Sequence, residues 1–121
     1  MKISGIVQKH KGRGKKLGFP TANIDIGRGV DIEDGIYAGT VGPTELPALV
    51  FVGAALTFGD TKRQAEIYIL DFEGDLYGQE IEVEILKKIR DNKKFGSDAE
   101  LVAQMRGDKK QAREYFEKER I

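Results

Sequence analysis

Hydrophobic and polar residues alternate along much of the chain as far as residue 89, which is the two-residue period of a β-strand. The clearest run is 80–89, where isoleucine and valine occupy alternate positions and glutamate lies between them. Four earlier segments show the same period, namely 22–26, 35–41, 46–56 and 65–72. Gly, Pro, Asp and Asn clusters separate the segments, without a helical pattern between them. This arrangement predicts an antiparallel sheet that closes into a barrel or sandwich, and we expect a barrel of about six strands.

The period changes to that of a helix near Ser97. Ser97 and Glu100 have the spacing of a capping box, and the apolar residues that follow recur at helical spacing. Gly107 predicts an interruption, after which Asp108 can cap a second helix. We therefore expect helix on one side of the barrel from about Ser97 onward.

The composition bounds the class of protein. The 121 residues suit a single domain, 1–121, and 33% charged with 40% hydrophobic residues fits a globular protein. No apolar run approaches the length of a membrane span, and the N-terminal MKISGIV is too short and interrupted for a signal peptide. The absence of cysteine excludes disulfides, zinc-thiolate sites and a cysteine nucleophile. We expect the protein to be a cytoplasmic monomer that does not bind a membrane.

The charges are sorted along the chain although their sum is zero. Residues 1–19 hold six basic groups and no acidic one, whereas residues 20–86 hold three basic and thirteen acidic groups. A basic, glycine-rich N-terminal segment attracts a compact anion. On composition alone, a solvated lysine-rich turn is the other interpretation. Nucleic-acid binding ranks lower, because the basic residues lack the interleaved aromatic residues of a stacking platform.

The segment GRGKKLGFPTANI is rich in both glycine and positively charged residues. Its glycines allow close approach of a ligand to backbone N–H groups, and Arg13, Lys15 and Lys16 add positive charge. It is neither a P-loop nor a Rossmann fingerprint. Thr21 and Asn23 lie two apart on a predicted strand, so both side chains face one way and can share Mg²⁺. Phosphate oxygens of a bound nucleotide would have to complete that metal site.

Glu66 lies in the strand AEIYILDF, both faces of which are largely apolar. A carboxyl group beside a pocket there would be desolvated, and its pKa would rise toward the range of a general base. A surface glutamate at the end of a strand is the alternative interpretation.

Three ordered segments resemble one family. GRGKKLGFPTANI is similar to the nucleotide-binding segment of riboflavin kinases of the bacterial and eukaryotic type, and LDFEGDLYGQEIEVEILKKIR and KKFGSDAELVAQMRGD are similar to later segments. The resemblance runs from about Gly5 to Asp108. It implies a closed six-stranded antiparallel Greek-key barrel with a C-terminal helix. It also implies phosphorylation of riboflavin to FMN by ATP with Mg²⁺.

The resemblance assigns roles to particular residues. Glu66 corresponds to the catalytic glutamate, and Thr21 and Asn23 to the metal ligands. The expected nucleotide-binding residues are Gly12, Arg13, Gly14, Lys15, Gly18, Pro20, Thr21 and Asn23. One wall of the flavin slot is expected in the segment from Arg90 to Met105, with Arg90, Phe95, Leu101 and Met105 as flavin-binding residues.

Three positions depart from the family pattern and bear on the shape of the pocket. They are His10, Phe51 and Leu56. A non-catalytic module that binds flavin or FMN, and a kinase that uses another nucleotide or polyol, therefore remain alternatives. The sequence contains no counterpart of the adenylyltransferase domain that often accompanies such kinases, so we expect a stand-alone kinase or one domain of a longer protein.

Overall fold

A computed structural model describes residues 1–8, 21–26, 31–53, 64–72 and 74–119. Those residues form six β-strands and one long helix. The elements are β1 Lys2–Ile6, β2 Ala22–Asp25, β3 Gly35–Val41, β4 Leu46–Gly53, β5 Gln64–Ile69, β6 Glu80–Arg90 and α1 Asp98–Glu119. Three of the five predicted strand segments match to within one residue at each end, β5 ends three residues before the predicted 65–72, and the described part of 46–56 matches as far as Gly53. The alternation pattern did not single out β1.

The strands form one antiparallel sheet in the order β1-β6-β3-β4-β5-β2. The two outer strands of that order, β1 and β2, approach each other. Just beyond β1, the backbone N–H of Gln8 donates to the carbonyl oxygen of Asn23 in β2 at 2.8 Å. The sheet is therefore a nearly closed barrel, which confirms the predicted architecture and largely removes the unpaired edges that an open sheet would present.

The barrel interior is buried, and so is the part of the outer face that lies under α1. Aliphatic side chains fill the barrel interior, among them Ile24, Val50, Val52, Ile67 and Val83. A second apolar cluster lies outside the barrel, between the sheet and α1, and contains Ile36, Leu49, Tyr68, Leu70, Met105 and Ala112. This second layer explains why β5 is apolar on both faces. Among the described residues, no helix is long and apolar enough to cross a membrane.

Helix α1 begins as its sequence predicts. The backbone N–H of Glu100 donates to Ser97 Oγ at 3.2 Å, and the Glu100 carboxylate accepts from the N–H of Gly96 at 3.0 Å. The predicted interruption at Gly107 is wrong, because the helix continues through it to Glu119. Asp108 is a fully buried residue in mid-helix, and its carboxylate is bound by an arginine of the barrel. It therefore does not cap a second helix.

Two arginine–aspartate pairs attach α1 to the barrel. Arg90, the last residue of β6, donates to both carboxylate oxygens of Asp108 at 2.8 and 2.7 Å. Arg113 of the helix donates to both oxygens of Asp71, just beyond β5, at 2.9 and 2.7 Å. The first pair is buried at Asp108, whereas the second is exposed to solvent. Arg113 also lowers the pKa of Asp71, chiefly through its hydrogen bonds to the carboxylate.

Substitution of Gly107 by Ala should stabilise the protein. A methyl group at this helical position meets nothing within 4 Å, and Ala is favoured over Gly in a helix by about 0.8–1 kcal/mol. The matched control is Gly39→Ala in β3, where the new Cβ would lie 2.6 Å from the carbonyl oxygen of Glu84. Chemical denaturation should give a higher midpoint for the first variant and a lower one for the second. A lower midpoint for Gly107→Ala would contradict the continuous helix.

The two ion pairs should differ in their contribution to stability. Asp108→Ala leaves the Arg90 guanidinium largely buried without its partner, which typically costs about 3–5 kcal/mol. Asp71→Ala removes the partner of an exposed arginine, so water replaces the lost contact. Urea unfolding should therefore show a midpoint loss several times larger for Asp108→Ala. Equal losses of midpoint would mean that the burial of Asp108 does not increase the contribution of its ion pair to stability.

Candidate active site

One line of directly paired residues crosses five strands of the barrel. Asn23 of β2 pairs with Glu66 of β5, and Glu66 pairs with Phe51 of β4. Phe51 pairs in turn with Ile36 of β3, and Ile36 with Arg90 of β6. Because paired residues of adjacent strands project to the same face, these five side chains form one row. Ile36 and Phe51 pack in the apolar cluster beside α1, so the row lies on the outer, helix-facing side of the barrel.

Asn23 occupies one end of this row and is itself almost buried, with 8% of its surface exposed. Its side-chain oxygen accepts a hydrogen bond from the Thr21 hydroxyl at 3.4 Å. Thr21 and Asn23, the two residues expected to share a cation, are therefore in contact. A hydroxyl and an amide oxygen are hard donors that suit Mg²⁺.

The described part of the chain contains no cluster of three or more His, Asp or Glu side chains able to hold a metal ion.

Glu66 lies beside Asn23 in the row and is half-buried. On its other side is Phe51, also half-buried, which packs into the outer apolar cluster. Tyr68 lies two residues further along β5, on the same face as Glu66. The centre of its ring is 5.5 Å from the ammonium nitrogen of Lys109 in the helix. The carboxyl group therefore lies between a polar neighbour and an aromatic one, at the border of an apolar surface.

Most of the predicted nucleotide-binding residues lie outside the described residues. These are Gly12, Arg13, Gly14, Lys15, Gly18 and Pro20, and the same holds for the departures His10 and Leu56. The residues on either side of that segment are described, and both contact Asn23. Gln8 binds its backbone oxygen, and Thr21 binds its side-chain oxygen. The described residues that flank the basic segment therefore both lie at the polar end of the row.

The four predicted flavin-binding residues fall into two groups. Arg90 and Phe95 lie together, with the guanidinium carbon 5.7 Å from the centre of the ring. Lys93 faces the same ring at 5.6 Å. Leu101 and Met105 instead lie on the packed side of α1, where Met105 is buried and Leu101 half-buried against the outer cluster.

The connection from β6 to α1, residues 91–97, is attached to the barrel near the row. The side-chain amide of Asn92 donates to the carbonyl oxygen of Val52 at 2.9 Å. The next residue in β4, Gly53, has φ of 138°, and a side chain there would collide with Asn92. Lys88 forms ion pairs with Asp91 and Glu33, and its hydrogen bonds lower the pKa of Asp91. The connection is therefore fixed at its start by polar contacts.

Sequence reasoning missed three contributors to this region, Asp108, Gln104 and Asn92. Asp108 binds Arg90 and also accepts from the Gln104 amide at 3.1 Å. The burial of Asp108 could have been predicted, because Met105, Asp108 and Ala112 have the spacing of one helix face. These three are the buried residues of α1. A charged residue on such a face requires a buried partner. Asn92 carried no comparable signal, since its partner is a backbone carbonyl.

The chain is similar to several known proteins. It is 40% identical over 117 residues to the bifunctional riboflavin kinase/FMN adenylyltransferase of Escherichia coli strain K12, covering 94% of this chain and 37% of that protein. It is 38% identical over 109 residues to the RNA-binding riboflavin kinase RibR of Bacillus subtilis strain 168, covering 88% of this chain and 47% of that protein. The chain thus spans less than half the length of these two relatives.

Structural similarity agrees with the sequence matches. The crystal structure of riboflavin kinase from Trypanosoma brucei superposes with a TM-score of 0.69 at 25% identity, covering 97% of this chain and 80% of that one. The family described as Flavokinase: Riboflavin kinase matches residues 1–116, which is nearly the whole sequence. This chain therefore belongs to the riboflavin kinase family.

Proposed function

We propose that this protein transfers the γ-phosphoryl group of ATP to riboflavin, forming FMN and ADP. The observation that carries the proposal is the position of Glu66 between Asn23 and Phe51, in a chain that belongs to the riboflavin kinase family. This position offers a carboxylate with oxygen donors for a metal on one side and apolar surface for a flat ring on the other. The proposal concerns the kinase reaction alone.

The nucleotide would bind at the Asn23 end of the row. Thr21 and Asn23 would hold Mg²⁺ through their side-chain oxygens, and the metal would neutralise charge on the phosphates. Backbone N–H groups at Gly12, Gly14 and Gly18 would approach the phosphates closely, while Arg13 and Lys15 would add charge and Pro20 would set the entry to β2. The support for this placement is that Gln8 and Thr21, which flank the basic segment, both bind Asn23.

Glu66 would act as the general base. Its carboxylate would accept the proton of the terminal ribityl hydroxyl as that oxygen bonds to the γ-phosphorus and the bond to the β-phosphate oxygen of ATP breaks. Phosphoryl transfer depends mainly on positioning and charge neutralisation. Because Glu66 is directly paired with Asn23, the base and the metal ligands belong to adjacent, hydrogen-bonded strands. Their relative positions are therefore set by the sheet itself.

Riboflavin would lie toward the Arg90 end of the row, against the segment from Arg90 to Met105. Phe95 offers an aromatic face, and the half-buried Leu101 adds an apolar edge. Met105 and Arg90 would support this wall from beneath, through the outer cluster and through the contact with Phe95. We further propose that the protein acts as a cytoplasmic monomer on small molecules.

The direct test is incubation with riboflavin and Mg-ATP, with FMN followed by chromatography. Parallel reactions with GTP, CTP and without Mg²⁺ establish the nucleotide and the metal. The same samples can be tested for RNA binding by gel shift, since the B. subtilis relative is named as RNA-binding. Flavin binding without FMN formation from any nucleotide would favour the non-catalytic binding module.

Glu66→Gln should abolish most turnover while leaving binding intact. Gln is nearly isosteric and still hydrogen-bonds the ribityl hydroxyl, but it cannot take up the proton, and general-base catalysis contributes about 10²–10⁴-fold in rate. We expect kcat to fall by at least roughly a hundredfold with little change in KM for riboflavin. The matched control is Glu82→Gln on the exposed face of β6, which should behave as wild type. Near wild-type turnover by Glu66→Gln would place the base elsewhere.

Asn23→Ala should weaken nucleotide binding selectively. Loss of one oxygen from the cation site should raise the Kd for Mg-ATP by roughly 10–100-fold, the effect of a lost contact to a charged group worth about 1.5–3 kcal/mol. Riboflavin affinity, measured by quenching of its fluorescence, should change little. Thr21→Val should give the same selectivity. Equal losses for both ligands would indicate disruption of the barrel closure at Gln8 instead of a metal site.

A further inference from the structure

The guanidinium group of Arg90 is held from two directions. Its Nε and Nη2 atoms donate to the two carboxylate oxygens of Asp108, and Nη1 donates to the carbonyl oxygen of Asp91 at 3.0 Å. Asp108 lies on the helix, and Asp91 begins the connection 91–97. Since a bidentate pair fixes the plane of the guanidinium as well as its position, Arg90 joins β6, α1 and the connection at one point.

Asp108 has no access to solvent, and its exposed fraction is 0%. Besides Arg90 it accepts from the Gln104 amide one helical turn earlier. An ion pair in such surroundings is less screened by water and salt than an exposed one. The plane of Arg90 is therefore determined chiefly by the helix.

Phe95 lies against this fixed group. The guanidinium carbon is 5.7 Å from the ring centre, within the range of a cation–π contact. The tethers of the connection are elsewhere, at Asn92 toward its start and at the Ser97 cap at its end. Arg90 is itself held by Asp108, so its contact with Phe95 connects the ring to the middle of α1.

We propose that Arg90 and Asp108 are positioning residues for the flavin, which hold Phe95 and the connection 91–97 at the end of the row opposite Asn23. The inference rests on the proposed function for the identity of the ligand. The pair is remote along the row from the cation donors, with Ile36, Phe51 and Glu66 between Arg90 and Asn23. Its loss should therefore affect flavin binding and leave nucleotide binding and the chemical step almost unchanged.

The test uses Asp108→Asn, which keeps the size of the side chain but removes its charge and turns an amide toward Arg90. We expect the riboflavin Kd and KM to rise about tenfold, within the range of coupling between contacting residues. The KM for ATP and kcat should stay within about threefold of wild type. Arg90→Lys, which keeps the charge but loses the two-pronged contact, should change the constants in the same direction.

Arg113→Ala is the matched control, because it breaks the other bidentate pair between α1 and the barrel. It should leave both substrate affinities unchanged. An equal loss of ATP and riboflavin affinity in Asp108→Asn and Arg90→Lys would make the pair merely structural, and unchanged riboflavin affinity in both would also overturn the proposal.

Hydrogen–deuterium exchange of the protein without ligand gives a readout that does not depend on activity. In Asp108→Asn, or in Arg90→Lys if the first variant does not fold, amides of residues 91–97 should exchange faster while those of β4 and β5 keep their protection. Unchanged exchange in 91–97 would overturn the positioning role. A wild-type protein that neither binds nor phosphorylates riboflavin would refute the proposed function, whereas the exchange experiment would still decide whether the pair holds the connection.

Discussion

The register between β2, β5 and β4 is the constraint on which the rest of the site depends. Side chains of a strand alternate between its faces, so a shift of one residue exchanges the two faces completely. If β5 slipped by one position, Glu66 would turn into the barrel interior and Ile67 would take its place beside Asn23. The apolar residues on both faces of β5 make such a slip costly. Ile67 fits the interior cluster, and Tyr68 fits the cluster beside the helix.

The helix completes this arrangement by burying part of the outer face of the sheet. A barrel of this size encloses little more than its own side chains, so a ligand must lie on the outside, where a second layer provides apolar walls. Helix α1 packs across β4, β3 and β6, whereas Gln8 and Thr21 lie at the β2 end of the row, where both contact Asn23. The outer face is thus divided between a polar end at Asn23 and an apolar end near Phe95. A substrate with a charged co-substrate on one side and a flat ring on the other matches that division.

The sequence was sufficient for much of this fold because every strand but β1 shows a local pattern. The alternation at the start of β6 arises because Ile81 and Val83 are buried while Glu80 and Glu82 are exposed. The capping residues Ser97 and Glu100 also act locally, and the start of the helix was predicted correctly. At Gly107 the local rule failed, because tertiary packing of Met105 and Ala112 stabilises the helix on both sides of the glycine.

The candidate site was predictable only in part. Thr21, Asn23 and Glu66 were predicted as site residues, and the structure places Asn23 and Glu66 on adjacent strands with Thr21 just before β2. Their pairing could not be read from periodicity, because register between strands far apart in sequence depends on the closure of the whole barrel. The partner of Arg90 was missed for a similar reason, since eighteen residues separate it from Asp108 along the chain.

The attachment of Gln8 and Thr21 to the same asparagine has a consequence for the length of chain between them. Both flanks are fixed by the barrel, so residues can be inserted or removed between them without moving the strands. In a flexible closed loop, each doubling of length costs only about 0.6 kcal/mol of closure entropy. Changes in the length of chain between Gln8 and Thr21 should therefore leave the pairing of the strands unchanged.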